Sequence, residues 1–211
     1  MANNHSPLSD AQLAAHIEGR RSIRRYQSSS IDREVVKRVL TAASRAPSAH
    51  NKQPWRFVVL DTFESRHMLA QAMGQKLRRD RTADGDASDA IQADIDRSYQ
   101  RITQAPVAVV LCVDMRDMHH YPDQVRNDAE YLMAVQSTAM AAQNLLLAAR
   151  AEGLGACVMC APLFCPEVVI ESLQLSPQWR AQMLVTIGEP ASPGRERPRL
   201  PLEQTTEWHS D

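Results

Sequence analysis

The sequence predicts an α+β domain of three layers, with helices on both faces of a central mixed sheet. Three observations carry this expectation. Short apolar runs alternate along the chain with segments of helical period. Residues 129–150 are rich in Ala, Leu and Met and contain neither Gly nor Pro. From Pro190 onward Pro, Gly and Arg dominate until Leu202, which reads as an extended arm with little to pack against in its own domain. Residues 1–211 are expected to form a single domain, with a charged excursion at 78–97 and a C-terminal arm at 190–211.

Taken in order, Ser9 and Gln12 have the spacing of a capping box for a first helix that runs to about Glu18. Asp32 can cap a second helix to about Ser44, because Val35, Val36, Val39, Leu40 and Ala43 follow helical spacing and Pro47 lies just beyond. Residues 55–60 form a short run of aromatic and β-branched residues between Pro54 and Asp61, a buried strand with Trp55 as a core anchor. A helix is expected over 62–77. The segment 78–97 is densely charged and poor in apolar residues, so it reads as a solvated excursion that becomes helical toward Tyr99.

Residues 106–114 are apolar throughout and should be a strand covered on both faces. The helix over 129–150 is apolar nearly all round, which places it in a large core or at a subunit interface. Gln136, Ser137, Gln143 and Asn144 speak against lipid around it, and a domain this small rarely hides such a helix alone, so a dimer is expected. Gly153-Leu154-Gly155 supplies a turn into a buried strand over 155–161. A short helix over 166–173 and a last strand over 183–187 follow.

The chain carries 24 basic and 25 acidic residues, so no global field draws nucleic acid or anionic lipid to it. Its longest strongly apolar run, 107–113, is far below the roughly 20 residues of a membrane helix, and residues 1–10 are polar; a soluble cytoplasmic protein is expected. Cys157 and Cys160 have CxxC spacing, but on a strand residues three apart point to opposite faces, so neither metal nor disulfide is expected. His119 and His120 are adjacent, which likewise points them apart. The glycine-rich dinucleotide and P-loop signatures, GxSxG and HExxH are missing from the sequence, which removes the common readings attached to them.

Against this neutral background, Arg20-Arg21-Ser22-Ile23-Arg24-Arg25 concentrates four guanidinium groups and a hydroxyl in six residues. Guanidinium forms forked, charge-assisted bonds to phosphate oxygens, and two or three converging can neutralise a terminal phosphate. Arg20, Arg21 and Arg24 are candidates, Ser22 adds a neutral donor, and Arg197 and Arg199 form a second basic pair that folding could bring to the same point. The polar loop around Pro47, Ser48, Ala49, His50, Asn51, Lys52 and Gln53 offers the amide donors and acceptors that read the edge of a pyrimidine-like ring. Together these point to a phosphorylated ring cofactor.

These motifs resemble those of the FMN-dependent nitroreductases, in order and over nearly the whole chain. Arg20-Arg21-Ser22-Ile23-Arg24 is similar to that family's opening phosphate motif, residues 47–55 to its flavin loop, Gly153-Leu154-Gly155-Ala156-Cys157 to its glycine turn and strand, and Arg197-Pro198-Arg199 to its closing basic pair. The resemblance implies a homodimer with FMN at the interface, NAD(P)H as donor and a C-terminal arm that crosses to the other subunit. It further implies that Arg20, Arg21, Ser22, Arg197 and Arg199 hold the phosphate and that Arg24 lies near the flavin N1 and C2 carbonyl. Pro47, Ser48, Ala49, Asn51 and Gln53 would line the ring and ribityl chain, and the backbone of Cys160 or Ala161 would meet N5. No catalytic side chain is required.

Tyr121-Pro122-Asp123, Ala129-Glu130, Gln143-Asn144-Leu145-Leu146 and Gly153-Leu154-Gly155 are also similar to the FMN domain attached to deazaflavin glutamyl ligases. The acceptor expectation therefore divides between nitroaromatics or quinones and a specialised heterocycle such as a deazaflavin precursor. A flavin-binding protein without turnover is the remaining alternative.

Overall fold

The computed structural model describes residues 10–209. Its centre is a four-stranded sheet in the order β1-β2-β4-β3, formed by β1 (Trp55–Leu60), β2 (Val107–Asp114), β3 (Gly155–Met159) and β4 (Trp179–Gly188). All three ladders are antiparallel. Among the described residues, the parallel component expected of a mixed sheet is confined to one isolated bridge between Ser22 and Ala156. An apolar run such as β2 looks alike in either pairing direction, so the sequence alone could not separate them.

β2 is buried along its whole length, and alternation sends its side chains into two cores. Val107, Val109 and Leu111 face the layer of α2 (Arg33–Ala43) and α5 (Gln124–Ala151), with Val39, Leu145 and Ala149. Ala108, Val110 and Cys112 face the layer of α3 (Phe63–Ala83), α4 (Ser88–Thr103) and α6 (Pro166–Ser172), with Leu69, Ile102 and Val169. The expected three layers are present.

Local signals set most boundaries. The Asp32 carboxylate accepts the Glu34 N–H at 2.9 Å and starts α2. Ser9 of the expected capping box lies outside the described residues, and α1 (Asp10–Glu18) ends at the expected residue, just before Gly19. α5 begins earlier than the apolar stretch suggests, because Asp123 accepts the Arg126 N–H at 2.9 Å and caps it. This helix is long and apolar enough to cross a membrane by length and composition. It instead buries Glu130, Ser137 and Thr138 within the domain.

Two expectations are corrected. Residues 78–97 are not an irregular excursion: α3 continues to Ala83 and α4 starts at Ser88, so the segment is the closed end of a helical hairpin. Ile91 and Ile102 are buried inside the hairpin, while Arg81 pairs across it with Asp86 and Asp94. Most of its other charges are exposed. The strand expected to reach residue 161 ends at Met159, and Cys160 and Ala161 open a tight turn containing Pro162. Proline brings no N–H to a ladder, which ends the strand there.

Candidate functional site

The two ends of the chain meet along one edge of the sheet. The Ile23 N–H donates to the Ala156 carbonyl at 3.0 Å, which lays the arginine segment against β3. Just beyond, the Gln27 N–H donates to the Glu189 carbonyl at 2.9 Å and the Ala191 N–H to the Arg25 carbonyl at 3.0 Å. Tyr26 pins the junction, its hydroxyl lying 2.6 Å from the Ile23 carbonyl and 2.8 Å from Thr186 Oγ1. Burial pushes that phenol well above its ordinary pKa, so it is a structural hydroxyl and not an acid.

Glycine makes the close approach possible. A Cβ on Gly155 would lie 2.6 Å from the Ile23 Cβ, inside any allowed contact. Gly194, with φ of +77°, turns the arm so that it packs on Ile23 and Arg21. Gly155→Ala is therefore expected to lower stability by about 1–3 kcal/mol, read as a drop in the urea midpoint. An unchanged midpoint would show that the arginine segment is not seated on β3.

Between the segment and the arm lies a cavity of about 880 Å³, lined by Arg20, Arg21, Ser22, Arg24, Arg197 and Arg199 together with Gln143 of α5. All six phosphate-motif candidates therefore line one cavity, although more than 170 positions separate Arg20 from Arg197. Arg21 also faces the Glu196 carboxylate at 3.3 Å and donates to the carbonyls of Glu18 and Arg20. Cys157 lies near this charge, and Arg24, Arg101 and Arg20 oppose the upward shift that burial imposes on its thiol. Burial prevails, so the thiol stays protonated at neutral pH.

Pro47, Ser48, Ala49, Asn51, Gln53, Cys160 and Ala161 do not line this cavity. The 47–53 loop is fastened elsewhere on α5: the Ala49 N–H donates to Ser137 Oγ at 3.3 Å, and the Gln53 N–H to Ser48 Oγ at 3.0 Å. His50, Asn51 and Gln53 all adopt left-handed backbone, with φ of 50°, 53° and 48°. Non-glycine residues hold that conformation at a cost, and such strain gathers where a loop is shaped for a ligand. Behind the loop, the buried Glu130 places Oε1 3.5 Å from His119 Nδ1, and the His119 ring lies 4.9 Å from that of His50. The exposed Cys160 and the turn after it sit at the end of β3, and Ala161 lines a separate apolar cleft with Met73, Ile95 and Phe164.

Gly194 and Glu196 were not singled out from sequence, and Gln143 was noted there for its polarity and its motif but not as a residue of this cavity. Only Gly194 carried a local signal, as a turn residue after Pro193.

This arrangement defines an α+β domain with a guanidinium-lined cavity on one side, chemically suited to an anion, and a strained polar loop on the other. Comparison with known proteins sharpens the class. The Nitroreductase family profile matches residues 17–189, and the chain belongs to that family. It is 31% identical over 227 residues to an NADH dehydrogenase of Thermus thermophilus, covering 96% of this chain and 97% of the relative. It is also 31% identical over 209 residues to a 5,6-dimethylbenzimidazole synthase of Rhodospirillum rubrum, covering 94% and 89%. Among solved structures, a nitroreductase-family protein of Desulfovibrio desulfuricans in complex with FMN superposes with a TM-score of 0.73 at 24% identity, over 98% of this chain and 99% of that one.

Proposed function

We propose that this chain is an FMN-dependent oxidoreductase that passes hydride from NAD(P)H to electron-poor acceptors such as nitroaromatics or quinones. The observation that carries the reading is the convergence of guanidinium groups from both chain ends on one cavity with the Ser22 hydroxyl, a donor set suited to a terminal phosphate. Arg20, Arg21, Ser22, Arg197 and Arg199 would hold that phosphate. Arg24 would sit where negative charge gathers on the reduced ring, and a backbone N–H at Cys160 or Ala161 would orient N5. FMN, when bound, supplies the hydride-carrying chemistry; the protein supplies position and charge. Donor and acceptor would use the same open face in turn.

A homodimer completes the site in this reading. Ser137, which fastens the ring loop, and Gln143, which lines the arginine cavity, stand about 9 Å apart along α5 and about 120° apart around it. The 47–53 loop of a second copy can then close the cavity that the first copy opens. Exposed apolar side chains on α5 and the arm favour the same pairing: Val125 is 79% exposed, Leu132 55%, Leu202 65% and Trp208 80%. These exposures are unusual for a helix and arm left in water.

Anaerobic mixing of the purified, FMN-loaded protein with NADH or NADPH tests the function. Bleaching of the oxidised flavin within seconds, followed by reoxidation on adding a quinone, is the expected result. Protein that fails to take up FMN, or whose FMN neither donor reduces, would reject it; the latter outcome would identify a flavin carrier without turnover. A second reading keeps FMN and assigns a specialised heterocycle as acceptor or product. It is favoured by the 5,6-dimethylbenzimidazole synthase relative. Slow turnover with every simple quinone and nitroaromatic, beside fast turnover of a deazaflavin precursor or another specialised heterocycle, would select it.

A further inference from the structure

The 47–53 loop is held in a conformation that its own residues disfavour, and the hold can be traced into the core. Gln53 lies in the left-handed region at φ of 48°, a conformation that only glycine adopts freely. Such backbone persists where its surroundings over-determine it. Both polar groups of the Gln53 backbone are engaged. Its N–H donates to Ser48 Oγ at 3.0 Å within the loop, and its carbonyl accepts Arg56 Nη1 at 3.1 Å from β1. The same Nη1 donates to the Trp55 carbonyl at 2.9 Å.

Arg56 is in turn fixed from the core. Its Nη2 lies 3.0 Å from Asp114 Oδ2, and that carboxylate is buried at the end of β2. Arg116 Nη2 and the Trp179 indole N–H hold the same oxygen at 2.6 and 3.2 Å. The Asp114 N–H donates to the Pro54 carbonyl at 2.8 Å, so the residue after Gln53 is tied to the same point. A second carboxylate, that of the exposed Asp117, stands 4.0 Å from Arg56 Nη2. One forked guanidinium thus spans from a core carboxylate to a loop carbonyl, a geometry that an ammonium group cannot reproduce. On its outer side the loop leaves Asn51 and Gln53 exposed, the two amide side chains assigned above to the flavin ring.

We propose that Arg56 and Asp114 are positioning residues for the isoalloxazine half of the site, acting through the backbone of the 47–53 loop. The proposal rests on the FMN reading above. Its physical content is pre-organisation: a loop that is free to relax must be restored to left-handed backbone when the ring binds, and ring affinity falls accordingly. The phosphate grip is separate, because Arg20 and Arg199 line the other cavity.

The test compares the wild type with Arg56→Lys, Arg56→Gln and Asp114→Asn, and takes Arg199→Ala as the contrast. Lysine keeps a cation beside Asp114 but loses the fork that reaches the Gln53 carbonyl. Dissociation constants are measured for FMN and for riboflavin, which carries the ring and ribityl chain without the phosphate. Both Arg56 variants are expected to raise the two constants by the same factor, roughly 5- to 30-fold. Asp114→Asn should raise both by a smaller common factor, whereas Arg199→Ala should raise the FMN constant alone. In cofactor-free Arg56→Lys, amide hydrogen exchange across residues 47–54 should quicken while exchange in α5 keeps its wild-type rate.

Flavin constants that match the wild type in both Arg56 variants overturn the proposal, as does unchanged loop exchange. An Arg56 variant that loses FMN affinity but keeps riboflavin affinity also overturns it, because Arg56 would then act at the phosphate. Exchange that quickens equally in the loop and in α5 does the same, since the loss would be one of global stability. Wild-type protein that binds neither FMN nor riboflavin would instead fail the function proposed above, and the two failures are thereby distinguished.

Discussion

Arg20→Ala and Arg199→Ala are each expected to raise the Kd for FMN by roughly 10- to 100-fold, the effect of losing one or two charge-assisted hydrogen bonds to a phosphate. Equilibrium dialysis or flavin fluorescence quenching would measure it. Folding stability should change by less than about 0.5 kcal/mol in both variants, because Arg199 is exposed and Arg20 lines the cavity without a carboxylate partner among the described residues. The pair is informative because the two side chains come from opposite ends of the chain. If both grip one phosphate, the double variant should lose less than the two single losses combined, the mark of residues that share a ligand. Unchanged affinity in both single variants would remove the phosphate assignment.

The largest stability effect is expected at Asp114. Its carboxylate is fully buried at the end of β2 and receives the Arg116 guanidinium at 2.6 Å, that of Arg56 at 3.0 Å and the Trp179 indole N–H at 3.2 Å. These contacts tie the end of β2 to its neighbour strands β1 and β4. Asp114→Ala would take the acceptor from the Trp179 indole and the part-buried Arg56 while Arg116 turns to solvent, a loss of about 2–3 kcal/mol in chemical denaturation. The Arg116 and Arg56 guanidiniums also hold the Asp114 carboxyl down at about 2. A depressed carboxyl stabilises the fold above its ordinary pKa of about 4, and that contribution fades as pH falls toward 2. The wild type should therefore lose stability between about pH 4 and pH 2 by a component that Asp114→Asn lacks. A loss below about 1 kcal/mol for the alanine variant would mean that the cluster is solvated like an ordinary surface pair.

Much of the fold was legible because its signals are local. Asp32 before a helical period, Pro54 and Asp61 around six strand-forming residues, and the uniform apolar character of β2 each constrain only their own window. The hairpin of α3 and α4 was misread for a related reason. Its charges dominate the composition, whereas Ile91 and Ile102 need only occasional positions to bury one face of a helix. The early start of α5 lay in a single residue, Asp123, whose capping bond outweighs the polar composition of the turn that follows.

The candidate site divides in the same way. Residue type and spacing determined which side chains could hold an anion or read a ring edge, because guanidinium and amide chemistry is fixed by the side chain itself. Only the tertiary structure decided that Arg20 and Arg199 border one cavity, that the 47–53 loop stands on another side of α5, and that His50, Asn51 and Gln53 are held left-handed. The physical reason is separation along the chain. Local propensity acts over a few residues, whereas the meeting of the two ends depends on β3 and β4 pairing at one sheet edge and on a glycine that lets Ile23 lie against them.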